Sequence, residues 1–376
     1  MFATKKSPMG NIQRLPIRNS AERVAVLLNA NARSVCEGLK RELENFVPLE
    51  DLFYSRCFED ARTIAHQVLE RGYHTVLTGG GDGTFVGYVN CLFEEALQRP
   101  GPGPVAHGAF KLAPVPAHAI GLPRVGVLKL GTGNAVADFS GASARRVGVV
   151  EDILRTRSGE VGPSRELHLL QHEGKRAPFA GLGMDAAVLN DYVRLKQRMK
   201  GSKMEFVGVG GLGYFWSIVG RTIPSHLLQR AVPQVEIVNL GGPAQQLGPD
   251  GKPAGRDIER GEIIYKGPCR LAAVGTVPNY GFGFQMFPYA LRAPGRFQLR
   301  LTAIGVPRIL ASARNLWRGG TPPPGVLDFH CDKVLIKFDR EMPLHVGGDA
   351  EGYRQEAIFE MAERPLELVD FRAPRA

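Results

Sequence analysis

Cysteine is sparse in this 376-residue chain, and what there is does not pair. Cys36, Cys57, Cys91, Cys269 and Cys331 are odd in number and scattered, with no C-x-x-C spacing. That pattern excludes a disulfide framework, carries no zinc signature, and fits a reducing, cytoplasmic compartment. Long apolar runs are missing as well; none approaches the roughly 20 residues that span a bilayer. Met1 to Ser20 carries Lys5, Lys6, Arg14 and Arg18 but no apolar core, so residues 1–20 read as a flexible segment and not as a secretory signal. Internal repeats are lacking, and the one biased tract is the proline-rich Thr321–Gly325. Acidic residues are in deficit, 37 Asp and Glu against 47 Lys and Arg, for a formal charge of +10. The excess points to an acidic partner, which charge alone leaves open among a nucleotide, an anionic lipid surface and nucleic acid.

Glycine, by contrast, is concentrated where it matters. Thr78, Gly79, Gly80, Gly81, Asp82, Gly83 and Thr84 follow the β-branched, apolar His74–Leu77, which reads as a buried strand. Phe85, Val86, Val89, Leu92, Phe93, Ala96 and Leu97 then recur at helical spacing. Glycines between a strand and a helix let the backbone come close to a ligand, and the helix start offers free N–H groups and a positive dipole end. Such a loop suits phosphate. A bare carboxylate beside phosphate is repulsive, so Asp82 implies either Mg²⁺ between the two or a substrate hydroxyl whose proton it accepts.

The length predicts two domains, and an apolar content of 44% is that of a globular chain. Strand Val24–Leu28 ends at Asn29, a helix follows with Val35, Leu39 and Leu43 on one face, and strand Leu52–Tyr54 closes at Ser55. An amphipathic helix from about Asp60 is stopped by Gly72. Alternation of this kind predicts a parallel sheet with flanking helices, whose ligands gather at the carboxyl ends of the strands. Asn29, Ser55 and the 78–84 loop all fall at such ends. Residues 98–123 read as a loop; strand Arg124–Leu130 then runs into a second small-residue loop, Gly131, Thr132, Gly133 and Asn134, before a short helix from Ala135.

Past Ser158 the pattern changes to short β-like segments: 166–170, 235–238, 269–274, 297–301, 334–338 and 357–361. They predict an antiparallel β-sandwich or barrel, interrupted by an apolar, helical stretch at 206–228 around Trp216. The expected organisation is a segment 1–20, an α/β nucleotide-binding domain at 21–157, a β-sandwich substrate domain at 158–365 and a tail at 366–376.

Gly79–Thr84, then Leu130–Asn134, then Gly181–Asp185, taken in order, resemble the diacylglycerol kinase catalytic-domain family. That family includes bacterial lipid kinases and the sphingosine kinases and is distantly related to NAD kinases and phosphofructokinases. Asn279–Gly283, Pro288–Ala290 and the pair Asp349 and Glu351 (around Ala350, where the family has glycine) extend the resemblance over residues 22–365. It implies ATP, with its accompanying Mg²⁺, bound between the domains by Asn29, Ser55, Gly80 to Thr84 and Gly131 to Asn134. It also implies an acidic catalytic pair at Asp349 and Glu351. By analogy with sphingosine kinases, Asp82 competes for the base role and Asp185 holds a lipid head group. The acceptor is then a diacylglycerol-like or sphingoid lipid met at a membrane surface, with peripheral association, no nucleic-acid partner, and room for a homo-oligomer.

Two departures stand out. Val86 and Gly87 replace the family's Asn-Glu pair, and Pro294 stands where bacterial members carry the aspartate of a structural Mg²⁺ site, so no dedicated metal is expected there. The alternatives are a soluble-substrate kinase of the NAD kinase type and a non-catalytic nucleotide or lipid sensor on the same fold. For Asp349 and Glu351 the competing reading is a solvated hairpin turn; for Asp185, a helix cap or turn aspartate. The basic residues Arg194, Lys196, Arg198, Lys200 and Lys203 suit either an anionic lipid or a solvated helix face.

Overall fold

The computed structural model describes residues 23–32, 34–98, 121–161, 163–187, 232–281 and 283–372. The expected segment 1–20, most of the 98–123 loop, the basic run at 194–203 and the apolar stretch at 206–228 lie outside them.

The first sheet is doubly wound, as the alternating pattern predicted. Strands β1 (Val24–Asn29), β2 (Leu52–Ser55), β3 (Thr75–Gly80) and β4 (Arg124–Lys129) pair in parallel in the order β2-β1-β3-β4. Side-chain alternation along β1 decides which helices lie where. Val24, Val26 and Leu28 point into a cluster with α1 (Glu37–Glu44) and α5 (Arg146–Arg157) through Leu39, Leu43, Val149 and Ile153. Ala25 and Leu27 point the other way, toward α2 (Phe58–Glu70) and α3 (Asp82–Gln98) through Ile64, Val68, Val89 and Phe93. Burying each such aliphatic side chain is worth about 1.5–3 kcal/mol, which is why the faces cannot exchange.

Of the tail expected at 366–376, Leu366–Leu368 is instead part of this sheet. Strand β17 (Leu366–Leu368) lies parallel to β4, and β5 (Arg165–Leu167) completes the sheet antiparallel to β17. Val369 and Phe371 are buried in the same cluster as β1 and α5. The chain therefore leaves the first domain and returns to it at the end. The segment expected as one strand at 166–170 is split between domains, since β6 (Leu170–His172) belongs to the second sheet.

That second sheet is antiparallel and has 11 strands. Its order begins at β10 (Gln245–Leu247) and runs through β14 (Val326–Cys331), β13 (Phe297–Thr302), β12 (Leu271–Gly275) and β8 (Phe179–Gly183). It continues through β15 (Lys333–Val346) and β16 (Asp349–Met361) to β6 and β7 (Lys175–Ala177), with β9 (Gln234–Asn239) and β11 (Ile263–Pro268) off this path. β15 is the hinge strand. Val334–Phe338 pairs β9 while Leu344–Val346 pairs β8, and an irregular register at Lys337/Met342 marks the change of partner. A bulged strand bends and can serve two parts of a sheet in this way. The two domains share one apolar core, in which Val86 and Phe93 of α3 join Ala177, Phe179 and Leu182.

Candidate active site

The glycine-rich loop is much shorter than its sequence suggests. β3 runs through Gly80 and α3 begins at Asp82, leaving Gly81 alone between them. Most of the glycines serve packing. A Cβ on Gly79 would lie 2.4 Å from a Leu28 methyl, and one on Gly80 would lie 2.3 Å from the Thr84 hydroxyl oxygen. Gly80 thus makes room for Thr84, whose Oγ1 accepts a hydrogen bond from Asn29 Nδ2 at 2.8 Å. Asn29 Oδ1 accepts the Asn31 N–H at 2.9 Å, so the end of β1 and the first turn of α3 are tied into one rim. Ser55 stands beside Asn29 in register, but its hydroxyl is buried against the Cys57 carbonyl at 3.4 Å and serves its own chain.

The second loop packs directly on the first. A Cβ on Gly131 would sit 2.1 Å from Gly81 Cα, closer than any real contact, so glycine is obligatory at this crossing. Asn134, at a left-handed φ of 57°, folds its amide back: Oδ1 accepts Gly131 N–H at 3.0 Å and Nδ2 donates to Gly131 O at 2.8 Å. Its side chain shapes the loop.

Asp82 also differs from expectation. Its carboxylate is buried and accepts the backbone N–H groups of Ala135 (2.9 Å) and Val136 (3.1 Å), the first turn of α4 (Ala135–Ser140). The side chain therefore stitches the two glycine loops together from below. Burial pushes its carboxyl up to about 6, against the opposing pull of those two N–H donors and with help from the nearby charge of Asp138. Asp138 is itself paired with Lys129.

The acidic pair reaches the first domain from the second. Gly347 and Gly348, with φ of 62° and 87°, form the tip of the β15–β16 hairpin, conformations that glycine adopts without strain. The solvated-hairpin reading was right about the turn. The same turn carries Asp349 to the start of α3, where Asp349 Oδ1 lies 3.0 Å from the position a Gly83 Cβ would occupy. Lys175, which sequence reasoning missed, stands between the two acids, with Nζ 2.5 Å from Glu351 Oε1 and 3.3 Å from Asp349 Oδ2. Burial acts to lower the Lys175 pKa, but the contacts with Glu351 and Asp349 outweigh it and leave it raised. Asn90 on α3 fixes the register of β7: its Nδ2 donates to Arg176 O, and its Oδ1 accepts Arg176 N–H, each at 2.8 Å. Nothing in sequence spacing connects positions 90, 175 and 351; only the fold does.

Asp185 is buried in a second polar group. Its Oδ2 accepts from Tyr280 OH at 2.8 Å and from His345 Nε2 at 3.0 Å, and Tyr280 and His345 are also in hydrogen-bond contact. Gly181 leaves space for this group, since a Cβ there would meet Asp185 Oδ2 at 2.1 Å. The group adjoins the second loop, and its His345 lies on the strand that leads to Asp349. His345 lies four residues before Asp349, and a Cβ on Gly281, next to Tyr280, would come 3.6 Å from Gly133 Cα. His345 had no signal in the sequence, and Tyr280 only its place in the Asn279–Gly283 motif.

With Pro294 where an acid was absent, the neighbouring Pro288–Arg292 segment is held by other means. Tyr289 OH donates to Pro249 O at 2.7 Å, and Tyr289 N–H donates to Gln298 Oε1 at 2.7 Å. Among the described residues no group of three His, Cys, Asp or Glu side chains is placed to hold a metal ion.

Residues 23–163 match the diacylglycerol kinase catalytic domain. The match falls on the α/β domain, where the motif order had pointed to this family. Over the whole chain, the structure resembles a putative diacylglycerol kinase from Bacillus anthracis str. Sterne, with a TM-score of 0.58 at 16% identity, covering 94% of this chain and 98% of that one. A further structure of a diacylglycerol kinase from the same organism gives 0.55 at 14% identity, with the same coverage. An NAD kinase from Archaeoglobus fulgidus in complex with ATP aligns at 0.43 and 12% identity over 93% of this chain and 96% of its own. Among curated proteins nothing matches. At these identities the structural likeness speaks for the fold: an α/β domain joined to an antiparallel sheet domain.

Proposed function

We propose that this chain is an ATP-dependent lipid kinase, transferring the γ-phosphoryl group to a hydroxyl of a diacylglycerol-like or sphingoid lipid. The observation that carries the reading is the placement of Asp349, from the second domain, against Gly83 at the N-terminus of α3. Phosphoryl transfer depends on positioning and on neutralising charge, with a carboxylate beside the attacking hydroxyl. Both requirements meet at this point.

The residues present fit a nucleotide phosphate chain. The first turn of the 17-residue α3 leaves backbone N–H groups without helical partners, and the adjoining Gly81–Gly131 crossing has no side chain to block approach. Bound ATP supplies the phosphoryl group, with Mg²⁺ accompanying it to offset charge. Asn29 and Thr84 hold the rim. Asp349 takes the proton of the acceptor hydroxyl, Glu351 supports it, and Lys175 keeps the two acids together. Asp185, with Tyr280 and His345, receives the polar head of the lipid. Asp82 is assigned to holding the loops and no longer to the base role. The NAD kinase reading has no comparable support, because the residues around Asp185 and Asp349 are explained without it.

The test is consumption of ATP over a panel of lipids, with NAD as the soluble control and nucleotide binding titrated alongside. Gly83→Asp places a second carboxylate beside Asp349 in the phosphate path and should abolish nucleotide binding. Full affinity in a folded Gly83→Asp protein would overturn the site. Turnover of NAD but of no lipid would overturn the acceptor class.

A further inference from the structure

Between Ile263 and Leu327 the chain has no Asp or Glu at all, but one lysine and seven arginines. Some of these charges are neutralised within the fold: Arg300 is buried against Asp328, and Lys266 pairs with Glu236. Three are not. Arg308, Arg314 and Arg318 are exposed, and their guanidinium groups have no partner among the described residues. They belong to two short helices, α6 (Val306–Ala311) and α7 (Ala313–Trp317), and the residue that follows. The same surface presents Trp317, 47% exposed, its ring 5.5 Å from that of Phe284.

This surface is continuous with the candidate active site. The Trp317 indole nitrogen lies 3.9 Å from where a Gly283 Cβ would stand, and Trp317 O accepts the Gln285 N–H at 3.2 Å. Two residues back, Gly281 approaches Gly133 of the second glycine loop, and Tyr280 reaches Asp185. Residues 280, 281 and 283–285 thus touch the second glycine loop, the Asp185 group and Trp317.

We propose that the α6–α7 surface docks onto an anionic bilayer, with Trp317 in the headgroup layer beside the mouth of the site. This inference rests on the lipid-kinase reading above and adds where the membrane stands. A half-exposed indole resting against another aromatic ring suits the boundary between water and acyl chains. Unpaired arginines on the same surface add attraction to anionic headgroups that salt screens. An acceptor hydroxyl leaving the bilayer at Trp317 then emerges on the side of the molecule where Tyr280 meets Asp185.

The experiment uses the full chain carrying Trp216→Phe, so that Trp317 is the sole tryptophan, with binding of the unmodified chain followed by vesicle sedimentation as a second measurement. The probes are vesicles of phosphatidylcholine with and without phosphatidylglycerol, including brominated acyl chains. The expected result is quenching of Trp317 on the anionic vesicles only, lost at high salt. Replacing Arg308, Arg314 and Arg318 together by alanine should weaken partitioning about 100-fold, from about a tenfold loss per 1.4 kcal/mol at roughly 1 kcal/mol per charge. The triple variant should keep lipid phosphorylation in mixed detergent micelles while losing it on vesicles. Unchanged partitioning of the triple variant overturns the surface even if lipids are phosphorylated. Quenching and charge dependence with no lipid phosphorylated in any form upholds the surface and overturns the kinase reading. Binding of a duplex oligonucleotide through the same arginines, with no vesicle binding, overturns the membrane in favour of nucleic acid.

Discussion

Replacing Asp82 separates a structural acid from a catalytic one. The folded carboxyl titrates at about 6 because it is buried, whereas an unfolded aspartate titrates at about 3.9. A raised folded value means that the native state holds the proton more tightly than the unfolded chain. Stability contributed by this group is therefore fully present below about pH 4, falls as pH rises from about 4 to about 6, and is level above. Two units correspond to about 3 kcal/mol over that window, an order-of-magnitude figure. Asp82→Asn removes the titration. At pH 7 it escapes the cost of burying the charge, but the two N–H groups are held by different carboxylate oxygens, so one of them would face the amide NH2, a loss of about 1–3 kcal/mol. The two effects nearly cancel, so Asp82→Asn should lie within about 2 kcal/mol of wild type at pH 7. Asp82→Ala abandons both N–H groups in a dry site and should lose about 2–4 kcal/mol, with faster amide exchange at Ala135 and Val136. The assay is urea unfolding of the three proteins from pH 4 to 7.5, taking the difference between wild type and Asp82→Asn so that the surface acids drop out. A difference that does not change between pH 4 and 7, with Asp82→Ala as stable as wild type, would refute the buried-cap assignment. A folded Asp82→Asn protein that binds ATP and is catalytically dead would return the base role to Asp82.

Removal of the proposed base should be visible in turnover alone: Asp349→Asn should lower kcat and kcat/KM together by about 10²–10⁴-fold with ATP affinity kept, as steady-state assays and nucleotide titration will show. Lys175→Met leaves Asp349 and Glu351 as adjacent like charges with nothing between them, so kcat should fall about tenfold while ATP affinity holds, with partial rescue by Lys175→Arg. Gly131→Ala drives a methyl to 2.1 Å from Gly81 Cα; the loops must part, and thermal unfolding should report a loss of about 1–3 kcal/mol together with weakened nucleotide binding.

Much of this molecule was written locally. Strand ends at Asn29 and Ser55 and helices such as α2 and α3 follow from periodicity, because a single element's burial pattern is a property of its own few residues, whereas the third strand, expected to stop at Leu77, runs on to Gly80. The parallel sheet with flanking helices and the antiparallel second domain were legible for the same reason, but the strand order was not. What the folded chain decided is contact between segments distant in sequence. Glycine content alone could not tell that Gly80 clears space for Thr84, that Gly131 must cross Gly81, or that Asp82 would hold the first turn of α4. No spacing could place Lys175 between Asp349 and Glu351, join His345 to Asp185, or return Leu366–Leu368 to the first sheet. Those depend on which surfaces bury one another, and burial between domains is decided only when the whole core closes.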